Sequence, residues 1–172
     1  MHESVLTWGK SVLTEELIKD KDVLEVGSYN VNGSLREHIE SLKPKSYIGS
    51  DIEEGPGVDV VHSIVEPWPE NREKFDVIVT TEMFEHVEDW RRALFEITEL
   101  LKPNGVLLIT TRSEGFFYHP YPDDFWRYTF QDFDYLLGSW LWIDAQSDPE
   151  APGIFILVRK PTVQPTPAKP SH

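Results

Sequence analysis

The chain reads as one α/β domain built on a doubly wound, mostly parallel sheet that closes in a C-terminal antiparallel hairpin. Three observations lead there. Short runs rich in Val and Ile alternate with amphipathic stretches, the pattern of strands covered by helices on both faces. Cap and stop signals separate those runs at helix-like spacing. The last two runs are joined by a link too short to hold a crossover helix, so they pair antiparallel.

Taken in order, the strand candidates of the parallel part are Asp22–Gly27, Ser46–Ile52, Val58–Ile64, Phe75–Thr81 and Val106–Thr111. An N-terminal helix is expected over Ser11–Lys19. Ser34-Leu-Arg-Glu37 has capping-box spacing, and Leu35, Ile39 and Leu42 follow it on one face. Asp89 to Lys102 carries a stripe of Ala93, Leu94, Ile97, Leu100 and Leu101, stopped by Pro103-Asn104-Gly105. Thr129-Phe-Gln-Asp132 opens a further helix with Phe130, Phe133, Leu136 and Leu137 inward. Leu141–Ala145 and Ile154–Val158 form the hairpin, separated only by the segment around Asp148-Pro-Glu-Ala-Pro-Gly153. The folded domain is expected over residues 1–160, and the Pro-rich stretch 161–172 has little to bury and is expected to be disordered.

Composition removes several classes of function. The net charge of −14 repels phosphate backbones and anionic lipid, and no cluster of Lys and Arg opposes it. Nucleic acid is therefore not an expected partner. There is no cysteine, which excludes thiolate metal ligands, disulfides and Cys nucleophiles. No metal site is expected. No apolar run is long enough to span a bilayer and no signal-peptide pattern appears, which makes the cytoplasm the default compartment. Oligomeric state is not readable.

Two positions carry the chemistry of a nucleotide site. Val23-Leu-Glu-Val-Gly27 runs into Ser28-Tyr-Asn-Val-Asn-Gly33, and a glycine at a strand end lets backbone approach a ligand closely. Asp51 ends the second strand, where a carboxylate can accept both hydroxyls of a ribose. Neither the dinucleotide fingerprint nor the P-loop motif is present, so a nucleotide ligand without a pyrophosphate cradle is preferred over NAD or ATP.

With these segments the chain resembles the class I S-adenosylmethionine-dependent methyltransferases, of the compact type-11-like kind, from about residue 21 to 160. The resemblance implies a Rossmann-like seven-stranded sheet with its last strand inserted antiparallel, and S-adenosyl-L-methionine as cofactor. It puts Glu25, Gly27, Ser28, Tyr29 and Gly33 in the first cofactor motif, although the middle glycine of the usual motif is missing. It puts Asp51 and Ile52 at the ribose and Ser63 near the adenine. Thr80-Thr-Glu-Met-Phe-Glu-His86-Val matches the family segment ending in E-H-V, so Thr81, Glu82 and His86 line the methionine and methyl end.

The acceptor side is expected in Arg112–Thr129, where Phe116, Phe117, Tyr118, Tyr121, Phe125, Trp126 and Tyr128 crowd one loop. Some methyltransferases of this type carry a similar H-x-x-P-x-D-F-W-R-x-T segment there. His119 is the first candidate base, Asp124 the second, and Arg127 a possible anchor for an acceptor carboxylate or phosphate. Equally, the rings can be a hydrophobic lid with Arg127 paired to Asp123 or Asp124. Glu85 and His86 are the next candidates for catalysis. Cytosine C5 methylation lacks its Cys, and the motif of DNA amino methyltransferases is replaced by Thr80-Thr-Glu-Met. A small-molecule acceptor methylated on O or N by in-line displacement is the expected substrate. The alternative is a methyltransferase-like module that binds cofactor or a partner without turnover of its own.

Overall fold

The computed structural model describes residues 1–69 and 72–162. Its elements run α1 (Glu3–Val12), α2 (Glu15–Ile18), β1 (Asp22–Val26), α3 (Arg36–Ser41), β2 (Ser46–Asp51), β3 (Val60–Val61), β4 (Phe75–Thr81), a 3-10 turn (Phe84–His86), α4 (Trp90–Leu100), β5 (Leu101–Arg112), α5 (Phe130–Leu137), β6 (Leu141–Ser147) and β7 (Gly153–Arg159). One seven-stranded sheet has the order β3-β2-β1-β4-β5-β7-β6. The first five strands are parallel, and β7 is antiparallel to both β5 and β6. The α/β class, the mixed sheet and the closing hairpin agree with the sequence.

Alternation along the strands explains why both faces are covered. On β1, β4, β5 and β7, Leu24, Ile78, Leu107, Ile109, Ile154 and Ile156 turn toward α4 and α5. Their neighbours Val23, Val77, Val79, Leu108, Phe155 and Leu157 turn toward α1–α3. Period two on a strand thus splits one apolar run between two cores.

Several elements differ from expectation. The helix expected over Ser11–Lys19 is present as α2 within that stretch, and α1 begins further upstream because Val5 and Trp8 are spaced to dock on the sheet. Trp8 stacks on Phe155 with ring centroids 5.0 Å apart and donates from Nε1 to Asp144 at 2.8 Å. The capping box at Ser34 does not form: Leu35 is the N-cap, and Ser34 Oγ instead accepts from Arg36 N–H at 3.0 Å. β3 is only two residues long, whereas Val58–Ile64 was expected. Leu136 stays partly exposed while Phe133 and Leu137 are buried. The box Thr129/Asp132 does cap α5, and Asp89 caps α4 by accepting from Arg92 N–H at 3.1 Å.

α4 ends against the last strand. Lys160 reaches from the end of β7 and donates from Nζ to the carbonyls of Thr98 and Leu101 at 2.7 and 2.8 Å. A buried lysine satisfies the open carbonyls that every helix C-terminus leaves. Most of the Pro-rich stretch, 163–172, lies outside the described residues. Among the described residues no helix is long and apolar enough to cross a membrane.

Candidate active site

Strand order reverses at β1: the chain goes outward to β2 and β3, then returns to β4 and β5 on the other side. Such a switch opens a crevice at the carboxyl ends of the strands, where ligands bind in doubly wound sheets. Here it is a cavity of about 1010 Å³, reached by Gly27, Asp51, Ser63, Glu82, His86 and His119.

The wall at β1 and β2 is backbone-rich. Gly27 has φ +78°, and a Cβ there would come within 2.7 Å of Met83 Cγ. Only glycine fits both the left-handed conformation and the close approach. Gly27 and Ser28 N–H both donate to the Ser50 carbonyl, at 2.8 and 3.1 Å. Asp51 accepts from Tyr29 N–H at 3.0 Å, from Ile52 N–H at 2.7 Å and, at 3.4 Å, from Glu53 N–H. A carboxylate has about four acceptor sites, so it keeps capacity for about one further donor.

Glu25 lies below this loop, with no place on the cavity wall. It is 2% exposed and accepts from the Tyr47 hydroxyl, while the Arg36 guanidinium covers the Tyr47 ring at 4.7 Å. Burial pushes its carboxyl up to about 8; Arg36 opposes this and Asp51 adds to it. The folded chain therefore binds a proton there that the unfolded chain releases near 4.5. That stabilisation is complete below the unfolded value and is lost as pH rises through about 8. Glu25→Gln is expected to flatten this part of the profile. Urea unfolding should show wild type losing on the order of a few kcal/mol relative to the variant between mildly acidic and alkaline pH.

The β4 end supplies the opposite wall. Thr81 is buried and lines the cavity, and its Oγ1 has no protein partner. Glu82 adopts φ +51°, an uncommon conformation for a residue with a side chain, with its N–H donating to the Thr110 carbonyl at 2.8 Å. Its carboxylate meets His2 Nδ1 at 2.8 Å and Arg112 Nη2 at 2.6 Å. Arg112 is fully buried at the end of β5, donates from Nη1 to Asp148 at 2.9 Å, and packs its guanidinium on Phe116 at 4.9 Å. This cation ties the β4 end, the hairpin and the aromatic loop together. Sequence reasoning missed it, although an arginine ending an apolar strand is a signal in itself, since buried charge needs partners.

The aromatic loop folds over the same cavity. Phe116 and Tyr128 are buried, and the Tyr128 hydroxyl donates to the Phe84 carbonyl at 2.9 Å. Trp126 Nε1 donates to the carbonyls of Val87 and Glu88, each at 3.0 Å. Arg127 gives one bond to the Phe116 carbonyl, one to Phe117, one to Trp126 and two to Asp124. A guanidinium has five N–H donors, so none is left for an acceptor. Arg127 thus braces the loop, the pairing that the sequence also allowed.

Asp124 is the other half of that brace. Its side chain is buried, Arg127 holds its carboxyl well below the usual carboxylate range, and it accepts from His119 N–H at 2.8 Å. It is absent from the cavity wall, where His119 is present. His119 presents Nδ1 to Asp124 at 3.2 Å and Nε2 to Glu85 Oε1 at 3.9 Å. Burial, and then the neighbouring His86, lowers its pKa, against the opposing pull of Asp124.

A family model described as a methyltransferase domain matches residues 6–146. The chain belongs to the methyltransferase-domain family. This methyltransferase domain is similar to the phthiotriol/phenolphthiotriol dimycocerosates methyltransferase of Mycobacterium tuberculosis, 32% identical over 96 residues, 49% of this chain and 35% of the relative. The chain thus spans about a third of the length of the curated relatives it matches. Among solved structures it is similar to the 1,6-didemethyltoxoflavin-N1-methyltransferase of Burkholderia thailandensis, crystallised with 1,6-didemethyltoxoflavin and S-adenosylhomocysteine. The TM-score is 0.73 at 18% identity, covering 92% of this chain and 79% of that one. An S-adenosylmethionine-dependent methyltransferase from Mesorhizobium loti gives 0.71 at 12% identity, covering 91% and 98%. These structures share the class I fold. The cofactor of the family is S-adenosylmethionine.

The methyltransferase domain has room and chemistry for that molecule. Ligand pockets run to roughly 1,000 Å³. The wall offers bare backbone at Gly27, free carboxylate capacity at Asp51 and the unpartnered Thr81 hydroxyl. Of the cofactor positions read from sequence, Gly27, Tyr29, Gly33, Asp51, Ile52, Ser63, Thr81, Glu82 and His86 lie together on the wall. Glu25 and Ser28 lie behind it.

Proposed function

We propose that this domain transfers the methyl group of S-adenosylmethionine to an oxygen or nitrogen of a small-molecule acceptor held beneath the aromatic loop. The observation that carries the reading is that Gly27, Asp51 and His119 line one and the same cavity. When bound, S-adenosylmethionine supplies an electrophilic sulfonium methyl and leaves as a neutral thioether. In this reading Asp51 grips the ribose and Gly27 lets the loop close on the methionine end. Phe116 and Phe117, stacked with centroids 4.5 Å apart beside His119, keep water away from the acceptor. The acceptor heteroatom attacks the methyl carbon as the C–S bond breaks, and its proton passes to His119 or, through it, to solvent. Holding the two reactants in line supplies much of the rate.

Calorimetry with S-adenosylhomocysteine tests the cofactor half directly. Wild type is expected to bind, and Asp51→Ala to bind about ten- to a hundredfold more weakly, since a charge-assisted hydrogen bond is worth roughly 1.5–3 kcal/mol. No binding by wild type overturns the proposal.

A further inference from the structure

At the acceptor end of the cavity, three side chains converge that methyl transfer by itself does not require together. One carboxylate oxygen of Glu85 and one ring nitrogen each from His86 and His119 lie within 4.8 Å of one another. Glu85 is fully buried, and its two oxygens are treated differently. Oε2 accepts from the Thr111 hydroxyl at 2.7 Å, whereas Oε1 has no partner and faces His119 Nε2 at 3.9 Å. A buried carboxylate oxygen left without a donor is costly and rare.

Both imidazoles have an acceptor group behind them, a carbonyl for His86 and a carboxylate for His119. His86 Nδ1 sits 2.6 Å from the Asp123 carbonyl, which can only accept, so Nδ1 carries the proton and Nε2 keeps its lone pair. His119 Nδ1 lies 3.2 Å from Asp124, whose Oδ2 accepts from the His119 backbone N–H at 2.8 Å, and its Nε2 lies 3.9 Å from Glu85 Oε1. Ligating histidines are held in this way, with the rear nitrogen on a carbonyl or carboxylate. The loop bracing by Arg127 and the 3-10 turn thus act on one cluster from two segments.

We propose that Glu85, His86 and His119 bind a divalent transition-metal ion at the acceptor end of the cavity. Two imidazoles and one carboxylate suit zinc or a neighbouring first-row ion and leave coordination positions open. Ligand atoms about an ion at roughly 2.0–2.2 Å stand roughly 3.0–3.5 Å apart, so the widest pair of the cluster must close by roughly 1.3–1.8 Å. His86 and His119 also line the cavity, so the open positions face the acceptor. The consequence, which rests on the methyltransferase reading, is an acceptor bearing an ionisable hydroxyl. Its oxygen ligates the ion, its proton leaves to water, and the oxygen then attacks the methyl carbon while the C–S bond breaks. In the ion-bound enzyme His119 is a ligand, and the ion takes over the activation of the acceptor.

The test uses the untagged full chain, stripped with chelator and titrated with Co²⁺. One ion per chain is expected, with the visible d–d absorption of a low-coordinate nitrogen and oxygen site. Glu85→Gln and His119→Gln are each expected to weaken binding by about tenfold or more. If buried Glu85 proves necessary for folding, the partly exposed His119 variant carries the result. Absence of stoichiometric binding, or binding unchanged in His119→Gln, overturns the ion site. Calorimetry with S-adenosylhomocysteine on the same samples keeps the two readings apart. Cofactor binding without Co²⁺ binding removes the metal alone; Co²⁺ binding without cofactor binding removes the methyltransferase reading and leaves the ion site standing.

Discussion

Turnover in His119→Ala is expected to fall by about 10²- to 10⁴-fold, the range associated with losing a group that moves a proton, while affinity for S-adenosylhomocysteine stays near wild type. His119 combines a place on the cavity wall with an orienting carboxylate behind it, and it lies apart from the Gly27 and Asp51 end. Arg127→Ala should behave differently. Its five bonds brace the loop, so its loss is expected to lower thermal stability and turnover together without a selective rise in the acceptor's KM. The assay begins with a screen of small hydroxyl and amine compounds against labelled S-adenosylmethionine. Full turnover in His119→Ala on the acceptor so found would remove His119 from the chemistry.

The largest loss of stability is expected from Asp148→Ala. Arg112 is fully buried between Asp148 and Glu82, and its guanidinium packs on Phe116. Removing one carboxylate leaves a cation short of its counter-charge where water cannot reach it, which costs roughly 3–5 kcal/mol. Urea unfolding of the variant should show a lowered midpoint at an unchanged slope. The double variant Arg112→Met with Asp148→Leu should recover much of the loss, because burying apolar groups of similar volume avoids the charge penalty. If Asp148→Ala unfolds like wild type, the ion pair does not hold the hairpin to the sheet.

Much of this was legible before any coordinates. Buried parallel strands advertise themselves as Val and Ile runs, and Asp89 and Thr129 are caps whose spacing names their helices. The cavity wall was equally readable, because Gly27 and Asp51 stand at strand ends that local sequence fixes. What escaped depends on partners distant in sequence. Arg112 is an ordinary arginine until Asp148 and Glu82 are brought to it. Arg127 could be read either as an anchor or as the partner of Asp123 or Asp124, and only the fold reveals that every one of its donors is spent. The Ser34 box failed because a six-residue helix gains little from capping when packing of Leu35 and Ile39 decides its start. The Glu85, His86 and His119 cluster joins two segments that no spacing rule links.

Lys160 bears on how the chain reaches this state during synthesis. The groups that close α4 are separated from it by 59 and 62 residues. Strand β5, inside the sheet, likewise gains its second neighbour only when β7 arrives, with Val106 opposite Arg159. Loop closure over such separations must be achieved before its contacts are rewarded, which slows folding and leaves sheet edges exposed meanwhile. A nascent chain halted before residue 153 has α4 unclosed and β5 unpaired on one side, an edge open to other strands. Closure of α4 and full pairing of β5 thus wait on the synthesis of β7 and Lys160.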